Sequence, residues 1–268
     1  MTAAETVLPA SGTRLVAAMI DREPVSAELL GTFRTAVYLQ LSSGEVIAVL
    51  TRDAVRLPCG LLLPRSSSEF PLDRLHGPVL VGHSRVSIGS LSIRLVRIRD
   101  ATVATSLSPH TETVAKLRAQ LDRTPFREHD PSVVDALFHY ADSETLAQTI
   151  AGPLVGAGSG LTPSGDDILS GFFVAARAVG LPCPQLTRVV TAAAGSNTTT
   201  LSAALLQYAS QGETLPQISR LLQALSRELG PREDALDALA RVVAIGHTSG
   251  TAMAIGVLAA CQSSLRQT

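Results

Sequence analysis

Two rhythms of apolar residues divide the chain. From about residue 14 to residue 106 the pattern is that of strands. Residues 33–41 and 46–50 flank Ser42-Ser43-Gly44, which predicts a hairpin with a short glycine-containing turn. Residues 79–81, then Val86, Ile88, Leu91, Ile93 and Leu95, alternate with Ser87, Ser92 and Arg94, and a slip of phase at Gly89-Ser90 predicts a β-bulge. After Leu107-Ser108-Pro109 the spacing becomes helical. Helices are expected over 111–121, from Pro131, from Ser143 to Gly152-Pro153, and over 216–229 and 234–245 on either side of Gly230-Pro231. Strands first and helices after give an α+β class: a β-rich N-terminal part, 1–108, packed on a C-terminal α-helical domain, 109–268.

One stretch breaks both rhythms. Residues 156–171 read G-A-G-S-G-L-T-P-S-G-D-D-I-L-S-G, a glycine-rich loop running into a helix whose apolar stripe is Ile168, Leu169, Phe172, Phe173 and Ala176. Gly156, Gly158 and Gly160 suit positive φ or close approach to a ligand. The helix starts either at a Ser164 cap with Asp167 three residues on, or at Thr162 followed by Pro163. Such a junction points free N–H groups at an anion. It has neither the lysine of a phosphate-binding P-loop nor the spacing of a dinucleotide fingerprint. Asp166 and Asp167 would repel a bare phosphate, so an anion here needs arginines from elsewhere (Arg94, Arg97 and Arg99 are the candidates) or Mg²⁺ held by the two acids. The bland alternative is a capped helix whose aspartates complement its dipole.

Two further polar stations follow. Gly195-Ser196-Asn197-Thr198-Thr199-Thr200-Leu201-Ser202 predicts a helix break, with its hydroxyls serving either as caps or as donors to a ligand. Gly246-His247-Thr248-Ser249-Gly250 introduces a second helix, and S-G-T-A-M-A-I-G aligns with S-G-D-D-I-L-S-G, Gly256 falling where Gly171 does. This is a faint internal repeat, with close helix packing through small residues as the plainer reading. Of the histidines, His247 alone sits among glycines and hydroxyls, whereas His76, His83 and His139 read as structural. Three stations of this kind predict one site, which brings the two Ser-Gly helix starts to a common point. Its catalytic candidates are Asp166, Asp167 and His247. Its anion-binding candidates are Gly158, Ser159, Gly160, Thr162, Ser164, Gly165, Thr199, Thr200, Thr248, Ser249 and Gly250.

Composition narrows the class. Apolar residues make up 46% but aromatic ones only 3%, so the core must be aliphatic and built on close backbone approach. The net charge is −1, and of 22 basic residues one, Lys116, is lysine; there is no basic field for nucleic acid. Cys59, Cys183 and Cys261 form no C-x-x-C pair and read as buried thiols in a reducing compartment. With no basic leader and no membrane-length apolar run, a cytoplasmic protein is expected. The expected cofactor is Mg²⁺ on Asp166 and Asp167, with no organic cofactor evident. No serine or cysteine nucleophile with a base stands out, so a covalent mechanism is not expected.

G-S-G-L-T-P-S-G-D-D-I-L-S-G, T-T-T-L-S and I-G-H-T-S-G-T-A-M-A-I-G together resemble the AllH-type family, the likeness running from about Gly152 to Leu258. The resemblance implies a subunit of a carbamoyltransferase complex of allantoin and purine nitrogen catabolism. Such a complex moves a carbamoyl group between oxamate or oxalurate and phosphate, with partner subunits or as a homo-oligomer. It carries over no catalytic residues. A non-enzymatic anion- or nucleotide-binding regulatory subunit and a purely structural subunit are the competing classes.

Overall fold

The computed structural model describes residues 6–71, 75–124, 126, 128–226 and 234–267. The chain divides into two units, Met1–Ala101 and Thr102–Thr268, each described here by itself.

The first unit is a closed barrel in the order β1-β5-β4-β3-β2-β6-β7-β8. Its strands are β1 (Thr6–Thr13), β2 (Val25–Thr32), β3 (Ala36–Leu41), β4 (Val46–Leu50), β5 (Gly60–Leu62), β6 (Val79–Gly82), β7 (Arg85–Ile88) and β8 (Leu91–Arg99). Parallel pairing of β1 with β8 closes it, which removes the exposed edges a flat sheet would leave. The predicted hairpin is β3–β4, with Gly44 at φ 94° in its turn. Two expectations are corrected. The predicted bulge at Gly89-Ser90 is a two-residue hairpin turn, with Ile88 opposite Leu91, and register shifts lie instead at Val96 of β8, opposite the Ala10–Ser11 step of β1, and at Leu30 of β2. A helix, α1 (Arg14–Ile20), interrupts the β-rich part. The Thr13 hydroxyl caps it by accepting from Val16 N at 3.1 Å, and Val16, Met19 and Ile20 are buried. Arg94 and Arg97 are exposed and Arg99 is half-buried.

The second unit holds nine helices among the described residues: α2 (Thr111–Leu121), α3 (Pro131–Phe138), α4 (Glu144–Leu154), α5 (Ser164–Val179), α6 (Pro184–Asn197), α7 (Thr200–Ser210), α8 (Pro216–Leu225), α9 (Ala235–Val243) and α10 (Ser249–Gln267). The predicted Gly230-Pro231 break lies outside the described residues. The core is the aliphatic one the composition requires, with Leu169, Phe172, Ala175, Ala176, Val257, Leu258 and Ala260 fully buried along α5 and α10.

Glycine lets these two helices touch. A Cβ on Gly171 would run into the Met253 carbonyl, and one on Gly256 into the Ile168 carbonyl. The contacts are reciprocal, and the starts of the two helices also meet, the Ser249 hydroxyl lying 3.3 Å from Thr162 Oγ1. The repeat read from the sequence is thus a pair of equivalent packing positions, and its plainer reading as close packing also holds. Gly165 and Gly250 extend the likeness, each lying against the backbone near the end of the preceding helix, at Leu154 and at Val242 with Ile245 respectively. Gly256→Ala is expected to cost about 3 kcal/mol in urea unfolding, the upper range for overpacking. Gly195→Ala, with open space around its Cβ, should gain about 0.5–1 kcal/mol from helix propensity.

Candidate active site

The loop from α4 to α5 is held by three positive-φ glycines, Gly156, Gly158 and Gly160, at 75°, 114° and 95°. Gly156 is required twice over, because a Cβ there would also meet the Asn197 carbonyl. The start of α5 departs from both capping expectations. Pro163 occupies the cap position, Ser164 is the first helical residue, and no side chain caps the end. The Ser164 hydroxyl is used elsewhere: it donates to Glu128 Oε2 and lies 2.9 Å from His129 Nε2.

The two adjacent aspartates have opposite environments. Asp166, 1% exposed, accepts from Gly156 N at 2.8 Å, from Ser202 Oγ at 2.6 Å and from Thr198 Oγ1. Three donors nearly fill the roughly four lone-pair sites of a carboxylate. Asp166 therefore braces the glycine loop against the α6–α7 junction and has little left for a metal ion. Thr199 takes the capping role at that junction, accepting from Ser202 N at 3.0 Å and donating to Leu161 O at 2.6 Å. The capping reading of the threonine station thus holds at Thr199, while the Thr198 and Ser202 hydroxyls donate to Asp166.

Asp167 is 7% exposed, and its Oδ2 is buried without a hydrogen-bond partner. Burial pushes its carboxyl up to about 7, and the charge of Asp166 adds to the rise. The hydroxyls of Ser249 and Thr162 pull the other way. These two hydroxyls lie 3.3 Å apart and join the start of α10 to the residue before Pro163. A buried acid with one open oxygen, set where two helix N-termini meet, is thus poised to change protonation near neutral pH.

All three stations therefore converge, through Asp166 to 198–202 and through Asp167 to Ser249. Some candidates stand apart. Ser159, Gly160, Thr200 and His247 are exposed, and among the described residues no hydrogen bond or ion pair ties His247 to the acids. Thr248 is half-buried, and its carbonyl accepts from Ala252 N at 3.0 Å. Glu128 and His129 went unnoticed in the sequence, because their loop carries no motif. Desolvation lowers the His129 pKa, while Glu128 and Asp166 oppose that shift.

Among the described residues no three His, Cys, Asp or Glu side chains gather to hold a metal ion. A Mg²⁺ ion at Asp167 would have to bring most of its ligands as phosphate and water. Among the described residues, too, no helix is long and apolar enough to cross a membrane.

Comparison with known families bears on this same region. Residues 154–261 match the AllH family, described as oxamate carbamoyltransferase subunit AllH. The matched stretch, from the end of α4 through most of α10, holds every catalytic and anion-binding candidate read from the sequence, though not Arg94, Arg97 and Arg99. No solved structure matches the chain.

Proposed function

We propose that this chain is the subunit of a carbamoyltransferase complex that holds a small carboxylate, oxamate or oxalurate, against a carbamoyl group exchanged with phosphate. The observation that carries the reading is Asp167, a buried carboxyl with an open oxygen and a pKa near 7, set in the AllH-type region. Transfer to oxamate requires its amide nitrogen to lose a proton as it attacks the carbamoyl carbon. The reverse, phosphorolysis of oxalurate, requires that nitrogen to regain one. An acid that is half-ionised near neutral pH serves both directions. The Thr162 and Ser249 hydroxyls and the paired starts of α5 and α10 would offset negative charge on the carboxylate and the phosphate. The glycine loop lets backbone approach the ligand. Phosphate and substrate bring their own charge to a site with no lysine, so Mg²⁺ would accompany phosphate rather than sit permanently on the acids.

The test measures both binding and transfer. Oxamate, carbamoyl phosphate and phosphate, with and without Mg²⁺, should raise the melting temperature of the full chain. Thr162→Val and Ser249→Val should each weaken binding by roughly 5- to 30-fold, the loss of one or two hydrogen bonds. With its partner subunits the chain should carbamoylate oxamate. Ligand shifts unchanged in both variants, together with no transfer, would sink the reading.

A further inference from the structure

The strongest unused cluster lies on the other side of the α5 start. Ser164 is 1% exposed, and a loop 36 residues earlier delivers a carboxylate and an imidazole to its single hydroxyl. The hydroxyl has one proton, and Glu128 accepts it. His129 Nε2, 2.9 Å away, must then carry the hydrogen of that second contact, which fixes the tautomer by elimination within the network. A capping serine would instead accept from the backbone of its own helix, and α5 has no such bond. The arrangement is that of an activated hydroxyl: a base on its proton, a donor on its lone pair, and the positive end of a helix beneath it.

Two features adjoin it. A Cβ on Gly158 would sit 2.6 Å from Ser164 Oγ, so at this exposed loop position only glycine leaves room for the hydroxyl. His129 also lines a cavity of about 420 Å³ with Arg118, Phe126, Phe138 and Ile255, which is within the range of small-ligand sites. Asp167, three residues after Ser164, projects from the same region of α5, as i and i+3 positions do.

The geometry points to Ser164 as a nucleophile that carries the carbamoyl group between phosphate and the acceptor, with Glu128 as its base and His129 holding the oxygen. This inference rests on the carbamoyltransferase reading and adds a covalent intermediate to it, contrary to the expectation from sequence. In the first step Ser164 Oγ bonds to the carbamoyl carbon of carbamoyl phosphate as the carbon–oxygen bond to phosphate breaks. The serine proton passes through Glu128 to the departing phosphate. In the second step the oxamate amide nitrogen bonds to that carbon and gives its proton to Asp167. The bond to Oγ then breaks, and the proton returns to Ser164.

A carbamoyl-serine makes the two half-reactions separable, so the test is exchange of labelled inorganic phosphate into carbamoyl phosphate without oxamate. The full chain with its partner subunits is expected to show exchange, and mass spectrometry to find a carbamoyl adduct on the peptide bearing Ser164. Ser164→Ala should reduce exchange and adduct to background while melting normally. Ser164→Cys should retain an adduct, now on sulfur. Glu128→Gln should slow exchange. If the wild type carbamoylates oxamate but does not exchange phosphate without it, and Ser164→Ala still transfers, the nucleophile is overturned and the carbamoyltransferase reading stands. If the wild type transfers nothing, both fail.

Discussion

Asp166→Ala is expected to destabilise the helical unit by about 3–5 kcal/mol, against about 1–2 kcal/mol for Thr198→Val or Ser202→Ala. The difference follows from the geometry of one carboxylate. Its oxygens accept from Gly156 N, Thr198 Oγ1 and Ser202 Oγ, tying the loop before α5 to the end of α6 and the first turn of α7. Hydrogen bonds to a charged acceptor contribute about 1.5–3 kcal/mol each, and a donor left unpaired in a buried site costs about 1–3 kcal/mol. Truncating the acid abandons three donors at once, and water entering the vacated space recovers part of the loss. Truncating one hydroxyl leaves the other two bonds in place. Urea unfolding of the three variants would check the ordering. Equal, small losses would mean that Asp166 is not the brace. The same geometry predicts that Asp166→Asn is no mild change, because an amide nitrogen in place of Oδ2 would face two hydroxyls that now donate.

The sequence announced this centre more clearly than it announced the frame. Positive φ at Gly156, Gly158 and Gly160 was legible because glycine in a polar loop has few other uses. The Ser-Gly repeat was legible because its glycines are packing positions, and packing recurs at fixed spacing. The barrel was not legible, since closure depends on which short strands pair, and alternation says nothing of partners. Helix α1 was missed because R-L-V-A-A-M-I is an apolar run of strand length, for which periodicity does not separate helix from strand. The start of α5 was misread because capping rules assume that a serine hydroxyl turns to its own helix, whereas Ser164 turns to Glu128 and His129. No local pattern marks a loop 36 residues away as the source of those partners. The two adjacent acids were read as alike, yet their roles are set by the non-local donors that one has and the other lacks.

Asp167→Asn is expected to lower carbamoyl transfer by roughly 10²- to 10⁴-fold, the usual contribution of a positioned acid or base, while making the protein no less stable at pH 8. The two outcomes share one cause. In the unfolded chain an aspartate titrates near 3.8, and in the fold Asp167 is pushed up to about 7, chiefly by burial. The folded state therefore holds a proton that the unfolded state releases between those values. Stability from this group is fully present below about pH 4 and is lost as pH rises through about 7. A rise of about three pKa units corresponds to roughly 4 kcal/mol as an upper figure. Asparagine matches the neutral acid in shape and carries no ionisation penalty, so the wild type should lose stability relative to Asp167→Asn between pH 4 and pH 8. Melting temperatures of both proteins over that range would measure the difference, with other titrating groups cancelling. Parallel curves would mean that Asp167 does not titrate as a buried acid. Diverging curves with transfer intact in Asp167→Asn would make the acid a buried structural group and remove it from the chemistry. The expected result is both divergence and lost transfer, because a site that keeps a buried acid half-ionised near neutral pH gives up stability there and gains a group able to move a proton in either direction.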